Sequence, residues 1–472
     1  MRNIPRRRAR RTLTSLARPR SFGALVIVLL TGLLASARPA AAQTFSYGAG
    51  RDRLLLGDLY EQVKRINPRT AAARSLAVAA EARVAGARRP PDPQLQLGFM
   101  NYTLPGLAPM PTLGMTQLQL MQMLPLGGKL GLAGRRAGSE ASASAARAED
   151  VGWEMRTQTA MAFYDLYATD RGLDVARQTL RLLQDIARTA EAMYRVGEGR
   201  QADVLRANVE IAKMAQDTLR MQAMREAMAA RLNALLDRAA ELAVGAPMLP
   251  QFPDSVPSRA SLDVIASGER PMIRAGIEEL SAADASARLA RREIIPDLVV
   301  GMQYGQRGGT GEMGSGTERM ASLMFGASIP VFARDRQLKM RQEMAAMKQM
   351  AQADLAAMRA ETRGKIGEAY AALTRSRSLA QLYRTTVLPQ AEATVASALA
   401  AYRVGSVDFM TLLDDRMTVN TYRQELATLE ADEGKAWAEL EMLTGRQLID
   451  PNATNATTKQ VGAAMAPRGG AK

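Results

Sequence analysis

The chain of 472 residues contains no cysteine and no histidine, and only 4% of its residues are aromatic. Without cysteine there is no disulfide framework, no thiolate nucleophile, no cysteine metal site and no acylated cysteine anchor. Without histidine the commonest general base and the commonest transition-metal ligand are missing. These absences exclude Ser-His-Asp and Cys-His catalysis, so an enzyme would have to use carboxylates or lysine.

The first 42 residues have the composition of an export signal. Residues 1–20 carry eight arginines and no acidic residue, residues 22–34 are apolar, and Ala40-Ala41-Ala42 forms a small-residue cleavage motif. Together these three features predict a secretory signal peptide over residues 1–42. The alternative, an N-terminal membrane anchor, needs a longer apolar run than this segment provides.

The formal charge of +15 comes largely from this segment. Removing its nine arginines leaves 53 basic against 47 acidic residues, and no basic stripe is interleaved with aromatic residues. We therefore expect no nucleic-acid partner. An exported chain without cysteine is more typical of a bacterial envelope than of a disulfide-rich extracellular setting.

The chain after residue 42 contains the same motifs twice in the same order, between 203 and 208 residues apart. Five pairs of segments match: Asn67-Pro68 with Arg270-Pro271, residues 87–93 with 290–296, 93–98 with 296–301, 123–126 with 328–331, and Tyr194-Arg195-Val196-Gly197 with Tyr402-Arg403-Val404-Gly405. Matches in one register indicate two internal repeats. The predicted divisions are a first repeat over 43–245, a proline-rich strap over 246–261, a second repeat over 262–445 and a disordered tail over 446–472.

Each repeat has the same predicted order of elements. A helix comes first, over 68–89 or 271–292, with proline at the first helical position. Two strands with period-two alternation follow, and their connecting loops, 104–113 and 307–318, are rich in proline or glycine. The strands are expected over residues 94–103 and 115–124 in the first repeat, and over 297–306 and 319–329 in the second.

A long helix and a return helix come after each strand pair: 129–194 with 202–242, and 334–402 with 409–443. In the first long helix, a coiled-coil seam with a seven-residue period is formed by Leu166, Leu173, Leu180, Ala187 and Tyr194. Such a helix is on the order of 100 Å long, which is more than a compact domain needs. Pro389 is expected to interrupt and bend the second long helix.

The four strands determine the predicted fold class, which is mixed but mostly α-helical. Each strand is about as long as a tilted strand that crosses a bilayer, and apolar side chains alternate with Gln, Gly or Asp. Four strands cannot close a barrel, and an open sheet edge is not tolerated in lipid. Several copies must therefore share one β-barrel in the outer membrane. The alternative is a soluble hairpin packed on helices.

These motifs resemble the TolC-like outer-membrane efflux factor family over nearly all of residues 50–445. The resemblance rests on the Asn67-Pro68 helix start, on residues 122–129, on the Tyr-x-x-Gly turn that occurs twice, and on residues 407–415. It implies a homotrimer in which twelve strands form one outer-membrane β-barrel and twelve helices form a long periplasmic α-helical barrel that continues it. It also implies a passive exit duct for small molecules, drugs or heavy-metal ions, which an inner-membrane pump and a periplasmic adaptor protein deliver.

The two Tyr-x-x-Gly turns are the first candidate site. They must lie at the far end of the helices from the strands, and glycine permits their tight reversal. The resemblance implies that the adaptor contacts them, whereas in the alternative the glycines serve only to turn the chain. The contact candidates are Tyr194, Arg195, Val196 and Gly197 in the first turn, and Tyr402, Arg403, Val404 and Gly405 in the second.

The second candidate site follows Gly405, where the resemblance implies rings of acids around a closed aperture. Thr411 and Asp414 occupy the two family positions, and Asp415 is an additional acidic neighbour. Three copies of Asp414 around a threefold axis would favour cations in a narrow neck. Thr411 departs from the family pattern and weakens the case for a gate of two rings. The alternative is that Asp414 is an ordinary solvated helix acid.

Other functions have less support. The 28 methionines raise the question of Cu(I), a soft ion that thioether sulfur suits, and Met121 with Met123 and Met320 with Met324 share strand faces. Methionine is also an ordinary filler between helices, so neither a metal site nor a cofactor is predicted. Adjacent acids such as Glu278-Glu279 point apart on a helix, so no catalytic residue is expected. A soluble periplasmic coiled-coil scaffold or adaptor is the alternative to the channel.

Overall fold

A computed structural model describes residues 53–106, 108–110, 113–311 and 314–453; the predicted signal peptide and residues 454–472 of the predicted tail lie outside these ranges. The described helices are α1 (Leu56–Ile66), α2 (Pro68–Ala87), α3 (Lys129–Arg195), α4 (Gln201–Leu235), α5 (Arg259–Glu269), α6 (Pro271–Arg292), α7 (Gln337–Leu382), α8 (Leu388–Arg403) and α9 (Phe409–Thr444). The described strands are β1 (Arg53–Leu54), β2 (Gln94–Met100), β3 (Tyr102–Thr103), β4 (Ala108–Pro109), β5 (Met115–Leu124), β6 (Ala246–Pro247), β7 (Leu298–Gly311) and β8 (Gly314–Ala327). The fold is 69% helical, which confirms the mostly helical class.

The helices were also compared with the length and hydropathy that a membrane span requires. Within the described ranges, none is both long enough and apolar enough to cross a membrane.

The helix that precedes each strand pair begins at a proline, as predicted. Pro68 starts α2 and Pro271 starts α6, and the Asn67 side chain accepts a hydrogen bond from the Arg69 N–H at 2.9 Å. Asn67 is buried, and its amide nitrogen donates to the Leu235 carbonyl at 2.9 Å. One asparagine therefore caps α2 and ties it to the end of α4. The short helices α1 and α5 that come before these two were not predicted.

α3 has 67 residues, so it extends for about 100 Å, as its predicted length implied. Its predicted seam is buried at Leu166 and Leu173 and half-buried at Leu180 and Ala187. The last seam position, Tyr194, is 45% exposed, because the helix ends there and no further turn covers the ring.

α4 ends at Leu235, seven residues before the predicted end of the return helix. Asp237 takes a positive φ of 51°, which ends the helical path. The buried Asn233 amide nitrogen then donates to the carbonyls of Ala240 at 3.2 Å and Leu242 at 2.8 Å. These bonds hold residues 237–242 as a turn rather than as helix.

Pro389 interrupts the second long helix, as predicted. α7 ends at Leu382, a single π-helical turn covers Tyr383–Val387, and α8 continues to Arg403. Proline has no N–H to donate to the carbonyl of Thr385 and its ring crowds that carbonyl. The wider π turn gives the ring room, so the helix changes its pitch and then continues.

Four strands form one antiparallel sheet in the order β2-β5-β7-β8. β5 and β7 join the two halves of the chain, with Leu118 opposite Tyr304 and Leu120 opposite Met302. One face is apolar, and its large exposed side chains are Leu95, Leu97, Phe99, Leu118, Leu120, Met302, Tyr304, Leu323 and Phe325. The opposite face carries mostly glutamine, glycine and methionine. The predicted alternation is confirmed, and each face is continuous across all four strands.

The strand boundaries differ from the prediction in both halves. The predicted loop 307–318 is largely strand, because β7 continues to Gly311 and Arg307 pairs with Glu318 across the hairpin at 2.7 Å. Glycine retains both backbone hydrogen-bonding groups, so a glycine-rich segment can still pair as a ladder. In the first half, β2 ends early at Met100, because Asn101 has a positive φ of 54°.

The long helices pack side by side in the order α4, α3, α9 and then α7 with α8. α3 also packs against α2 and α6. A buried cluster joins the two helical hairpins near their turns: Ala176, Leu183, Ala190, Ala207, Met214, Ala398, Tyr402, Phe409, Leu412 and Leu413. Four of these residues are alanines, which lets the helices approach closely.

The sheet and the helices are tied together at Lys129, the first residue of α3. Its ammonium group, 7% exposed, donates to the Asp297 carboxylate at 2.8 Å and to the Ile295 carbonyl at 2.9 Å. Gly127 and Gly128 have positive φ angles of 72° and 74°, which turn β5 into α3. The junction therefore links the first strand pair to the start of β7 in the second.

Residues 446–453, which were predicted to belong to a disordered tail, are held on the core. The N–H groups of Leu448 and Ile449 donate to the Glu441 carboxylate at 2.8 and 3.0 Å, and Ile449 is buried. Arg156 pairs with the same carboxylate at 3.0 Å. The tail is mostly polar in composition, so the sequence did not indicate that Leu448 and Ile449 attach its first residues to the core.

Candidate functional site

The two Tyr-x-x-Gly turns have the same backbone geometry. Gly197 and Gly405 have φ angles of +81° and +72°. In each turn the N–H after the glycine donates to the carbonyl five residues earlier, at 2.9 Å in the first and 3.0 Å in the second. This pattern closes the end of a helix and requires the left-handed conformation that glycine takes without strain.

The side chains around these glycines are mostly exposed. Val196 is 71% and Val404 78% exposed, and Tyr194 beside the first turn is 45% exposed. Arg195 and Arg403 are exposed as well, and Arg195 forms an ion pair within its own helix at 2.6 Å. Each turn thus presents one valine and one arginine to its surroundings.

Tyr402 differs from its counterpart Tyr194, because its side chain is buried. It is 5% exposed and packs against Phe409, with ring centroids 5.7 Å apart. Burial raises the pKa of the Tyr402 phenol, and the carboxylates of Asp203 and Asp408 raise it further. Tyr402 therefore packs beneath the second turn and is not accessible to a partner. Its prediction as a contact residue is corrected accordingly.

Thr411 and Asp414 lie on one exposed face of α9. This face, which we call the acidic stripe, consists of Thr411, Asp414, Thr418, Thr421, Glu425 and Thr428. Alternating steps of three and four residues place its members above one another on a helix. The stripe contains no basic residue, so the two predicted aperture positions belong to a longer acidic and hydroxyl-bearing surface. The alternating spacing of three and four residues is present in the sequence and could have indicated this face.

Asp415 is not on the acidic stripe. One residue along a helix turns a side chain by about 100°, and Asp415 lines a groove of about 300 Å³ between α8 and α9. Val387, Tyr422 and the stripe residue Thr418 line the same groove. The groove therefore borders the acidic stripe, and its lining includes Asp415 but not Asp414.

A larger cleft of about 1540 Å³ lies beside α3, α4, α7 and α9, and residues 246–252 of the strap form part of its wall. It contains charges of both signs. The Tyr167 hydroxyl donates to the Glu430 carboxylate at 2.7 Å, and Arg384 pairs with that carboxylate at 2.7 Å. Burial, and then the negative charge of Glu430, raise the pKa of Tyr167 to about 12. The lining is suited to holding the strap through ion pairs and hydrogen bonds.

Acidic residues were also considered as metal ligands. In the part of the chain that the structure describes, no group of three or more acidic side chains is placed to hold a metal ion.

A four-stranded antiparallel sheet with one apolar face, continued by two long helical hairpins, is the fold of TolC-like channels. The family model of outer membrane efflux proteins matches residues 59–238 and 264–446. The chain belongs to this family, and it is an efflux transport protein of the outer membrane with a periplasmic helical extension.

Solved channel structures share the fold at low sequence identity. The VceC protein of Vibrio cholerae is 17% identical with a TM-score of 0.70, over 83% of this chain and 96% of that chain. CusC is 17% identical with a TM-score of 0.72, over 85% of this chain and 96% of that chain. The Campylobacter jejuni channel CmeC is 15% identical with a TM-score of 0.68, over 86% and 88%. No curated protein sequence matches the chain.

Proposed function

We propose that three copies of this chain form one passive exit duct, into which an inner-membrane pump and a periplasmic adaptor deliver substrates. The observation that carries the proposal is that both layers of the chain are open at both sides. A closed wall requires neighbouring copies to cover these edges.

The sheet provides the first pair of open edges. β2 and β8 are its outermost strands, and in the described residues neither is paired on its outer side. The apolar face extends to both edges, with Leu97 60% and Phe325 73% exposed. Exposed apolar surface of this extent marks a contact with lipid or with protein, and unpaired strand edges do not persist in lipid.

The helices provide the second pair of open edges, formed by α4 and α8 at the two sides of the layer. α4 has an exposed row with steps of four and three residues: Leu205, Val209, Ala212, Gln216, Leu219 and Ala223. α8 has a similar exposed row of mostly small residues: Gln390, Ala393, Ser397 and Ala400. Steps of four and three are the seam pattern of paired helices. Large side chains on α4 would fit between small ones on α8 of the next copy.

Contacts between unlike edges close a ring only at a fixed number of copies. Two copies would supply eight strands, and the interior of a barrel of about eight strands is filled by its own side chains. Three copies supply twelve, which leaves an open lumen. In that arrangement the apolar face meets lipid, and the glutamine-rich face lines the duct.

In the same arrangement, the two Tyr-x-x-Gly turns and the acidic stripe have separate roles. The valines and arginines of the two turns form the surface for the adaptor, at the end furthest from the sheet. The acidic stripe lines the helical part of the duct, and Asp414 forms a ring where the helices converge. A ring of carboxylates in a narrow neck favours cations.

Chemical crosslinking between engineered cysteines tests the shared wall, because the natural chain has none. Gln96 on β2 and Ser322 on β8 lie on the same rung and face of the sheet as Gln119 and Gln303. The double variant Gln96→Cys/Ser322→Cys is treated with a flexible bis-maleimide in outer-membrane vesicles. We expect denatured products of two and three chains and none larger.

The matched control is Gln119→Cys/Gln303→Cys, whose two positions are opposite each other within one chain. This pair should be crosslinked within the chain and should give no larger product. If the edge variant also remains a single chain, the copies do not share a sheet. Recovery of the chain in the soluble periplasm would instead support the coiled-coil scaffold.

A further inference from the structure

Methionines are concentrated on one face of the sheet. The glutamine-rich face carries Met100, Met115, Met121, Met123, Met320 and Met324. Within the described strands of this sheet, the apolar face carries Met302 alone. If methionine served only as apolar filling, it would be expected on the apolar face, where leucine and phenylalanine stand instead.

Two glycines of β7 create places where these methionines meet. Gly301 is paired with Met121 of β5 on one side and with Met324 of β8 on the other. A Cβ atom at residue 301 would lie 3.4 Å from Met121 Cγ and 3.3 Å from Met324 Cε. Both side chains therefore lean over the same glycine, which is buried beneath them. We call this the Gly301 pair.

The second place is at Gly305, four residues along the same strand and on the same face. Gly305 is paired with Met320 of β8, and Met115 of β5 lies across it, with Met115 Sδ 3.5 Å from where a Cβ would stand. The methyl carbon of Met115 also lies over Gly305, in space that a Cβ atom would need. Gly305 is also buried. Met115 therefore covers Gly305 while Met320 stands opposite this glycine on β8, and we call these two methionines the Gly305 pair.

A hydrogen-bonded pair of glutamines lies between these two places. Gln303 donates to Gln117 at 2.5 Å on the same face. The rungs from 117 to 123 on this face carry uncharged amides and thioethers and no charged side chain. The next rung, which holds Met115, carries Arg307 and Glu318, whose opposite charges pair with each other at 2.7 Å. Hard cations such as Mg²⁺ and Ca²⁺ prefer carboxylate and carbonyl oxygen and are poorly served here. Soft thioether ligands select Cu(I), and Ag(I) has the same charge, the same d¹⁰ configuration and a similar preference.

We infer that the Gly301 and Gly305 pairs are transient binding sites for soft monovalent cations, Cu(I) or Ag(I), on the inner surface of the duct. The inference deepens the proposed function, on which it rests, by naming a cargo class. Two thioethers hold such an ion with a low coordination number, so each site can load and release it. Two sites in succession on each chain form a path along the wall of the barrel.

Silver binding to the purified full-length trimer tests this inference, in nitrate buffer so that silver chloride does not precipitate. The key variant is Met121→Leu/Met324→Leu, which conserves apolar volume and removes the thioethers of the Gly301 pair. The matched control is Met302→Leu on the opposite face. Bound silver is measured by equilibrium dialysis with elemental analysis, and conductance in potassium nitrate is measured on the same preparations.

We expect the key variant to bind about one Ag⁺ fewer per chain than the natural protein, and Met302→Leu to bind the same amount as the natural protein. Met115→Leu/Met320→Leu should lose a similar amount. Equal silver binding by the two double variants and the Met302 control would overturn the inference. Potassium conductance distinguishes the two proposals. If the variants conduct potassium and bind silver as the natural protein does, the proposed cargo class is refuted but the proposed duct is not. Single variants, such as Met324→Leu, serve if a double variant fails to assemble.

Discussion

Glu441 is a buried carboxylate that accepts three hydrogen bonds, and its removal gives a quantitative test of how residues 446–453 are held. Its side chain is 1% exposed and accepts hydrogen bonds from Arg156 and from the N–H groups of Leu448 and Ile449. A hydrogen bond to a charged group contributes about 1.5–3 kcal/mol. Removing one partner of a buried pair costs about 3–5 kcal/mol.

Glu441→Ala should therefore weaken this region by about 3 kcal/mol, since residues 446–453 can detach and regain hydrogen bonds to water. The two amides of Leu448 and Ile449 should then exchange hydrogen about 100-fold faster, because every 1.36 kcal/mol is a factor of ten. Hydrogen–deuterium exchange with mass spectrometry, resolved to the peptide that contains both amides, measures this. Glu441→Gln keeps one acceptor oxygen, so its effect on these amides should be smaller.

Glu425→Ala is the matched control, because Glu425 is exposed on the same helix. It should leave the exchange of Leu448 and Ile449 unchanged. Exchange in Glu441→Ala that stays within a factor of about three of the natural protein would refute the reasoning, because such a ratio corresponds to less than about 1 kcal/mol.

Three further predictions concern the junction, the aperture and the cleft. Lys129→Met should lower the temperature at which trimers dissociate, measured on gels of samples heated to increasing temperatures. The expected loss of stability is about 2 kcal/mol, since Asp297 is 21% exposed and can be partly solvated. Asp414→Ala should enlarge single-channel conductance and reduce cation preference in planar bilayers, whereas Asp415→Ala should change neither, because its side chain faces the groove; equal effects would contradict the separation of the two acids. Because the pKa of Tyr167 is raised to about 12, its phenol stays protonated in the folded state after the unfolded chain begins to ionise at about pH 10. Stability should therefore fall between about pH 10 and pH 12, and Tyr167→Phe should make the thermal midpoint less dependent on pH in that window.

Sequence reasoning located the elements whose pattern is local. Asn67-Pro68 marked the start of α2, and the alternation of residues 115–124 gave the bounds of β5 without error. Gly197 and Gly405 marked both turns, because a left-handed residue after a helix has a strong sequence preference. Each of these features is determined by neighbours within a few residues.

Features that depend on distant contacts were less predictable. Arg307 and Glu318 pair across a hairpin whose glycines resemble a loop, so the extra strand length was missed. Tyr402 and Tyr194 stand in the same motif, yet Phe409 covers only Tyr402. The adjacent acids Asp414 and Asp415 could be assigned to different faces only after the position of α8 was known.

The positions of four methionines beside Gly301 and Gly305 could not have been deduced from composition. The sequence places methionines two or four residues apart on one face of a single strand. The meeting of Met121 with Met324 depends on the register of β5, β7 and β8, in which residues about 200 positions apart become neighbours. Strand register over such separations is not contained in any local pattern.

The mass of the mature protein, extracted from the outer membrane in mild detergent and measured by native mass spectrometry, tests the central claim most directly. The open edges of the sheet and of the helical layer predict a single species of three chains. A stable species of one chain, with β2 and β8 protected from exchange in that state, would contradict the account.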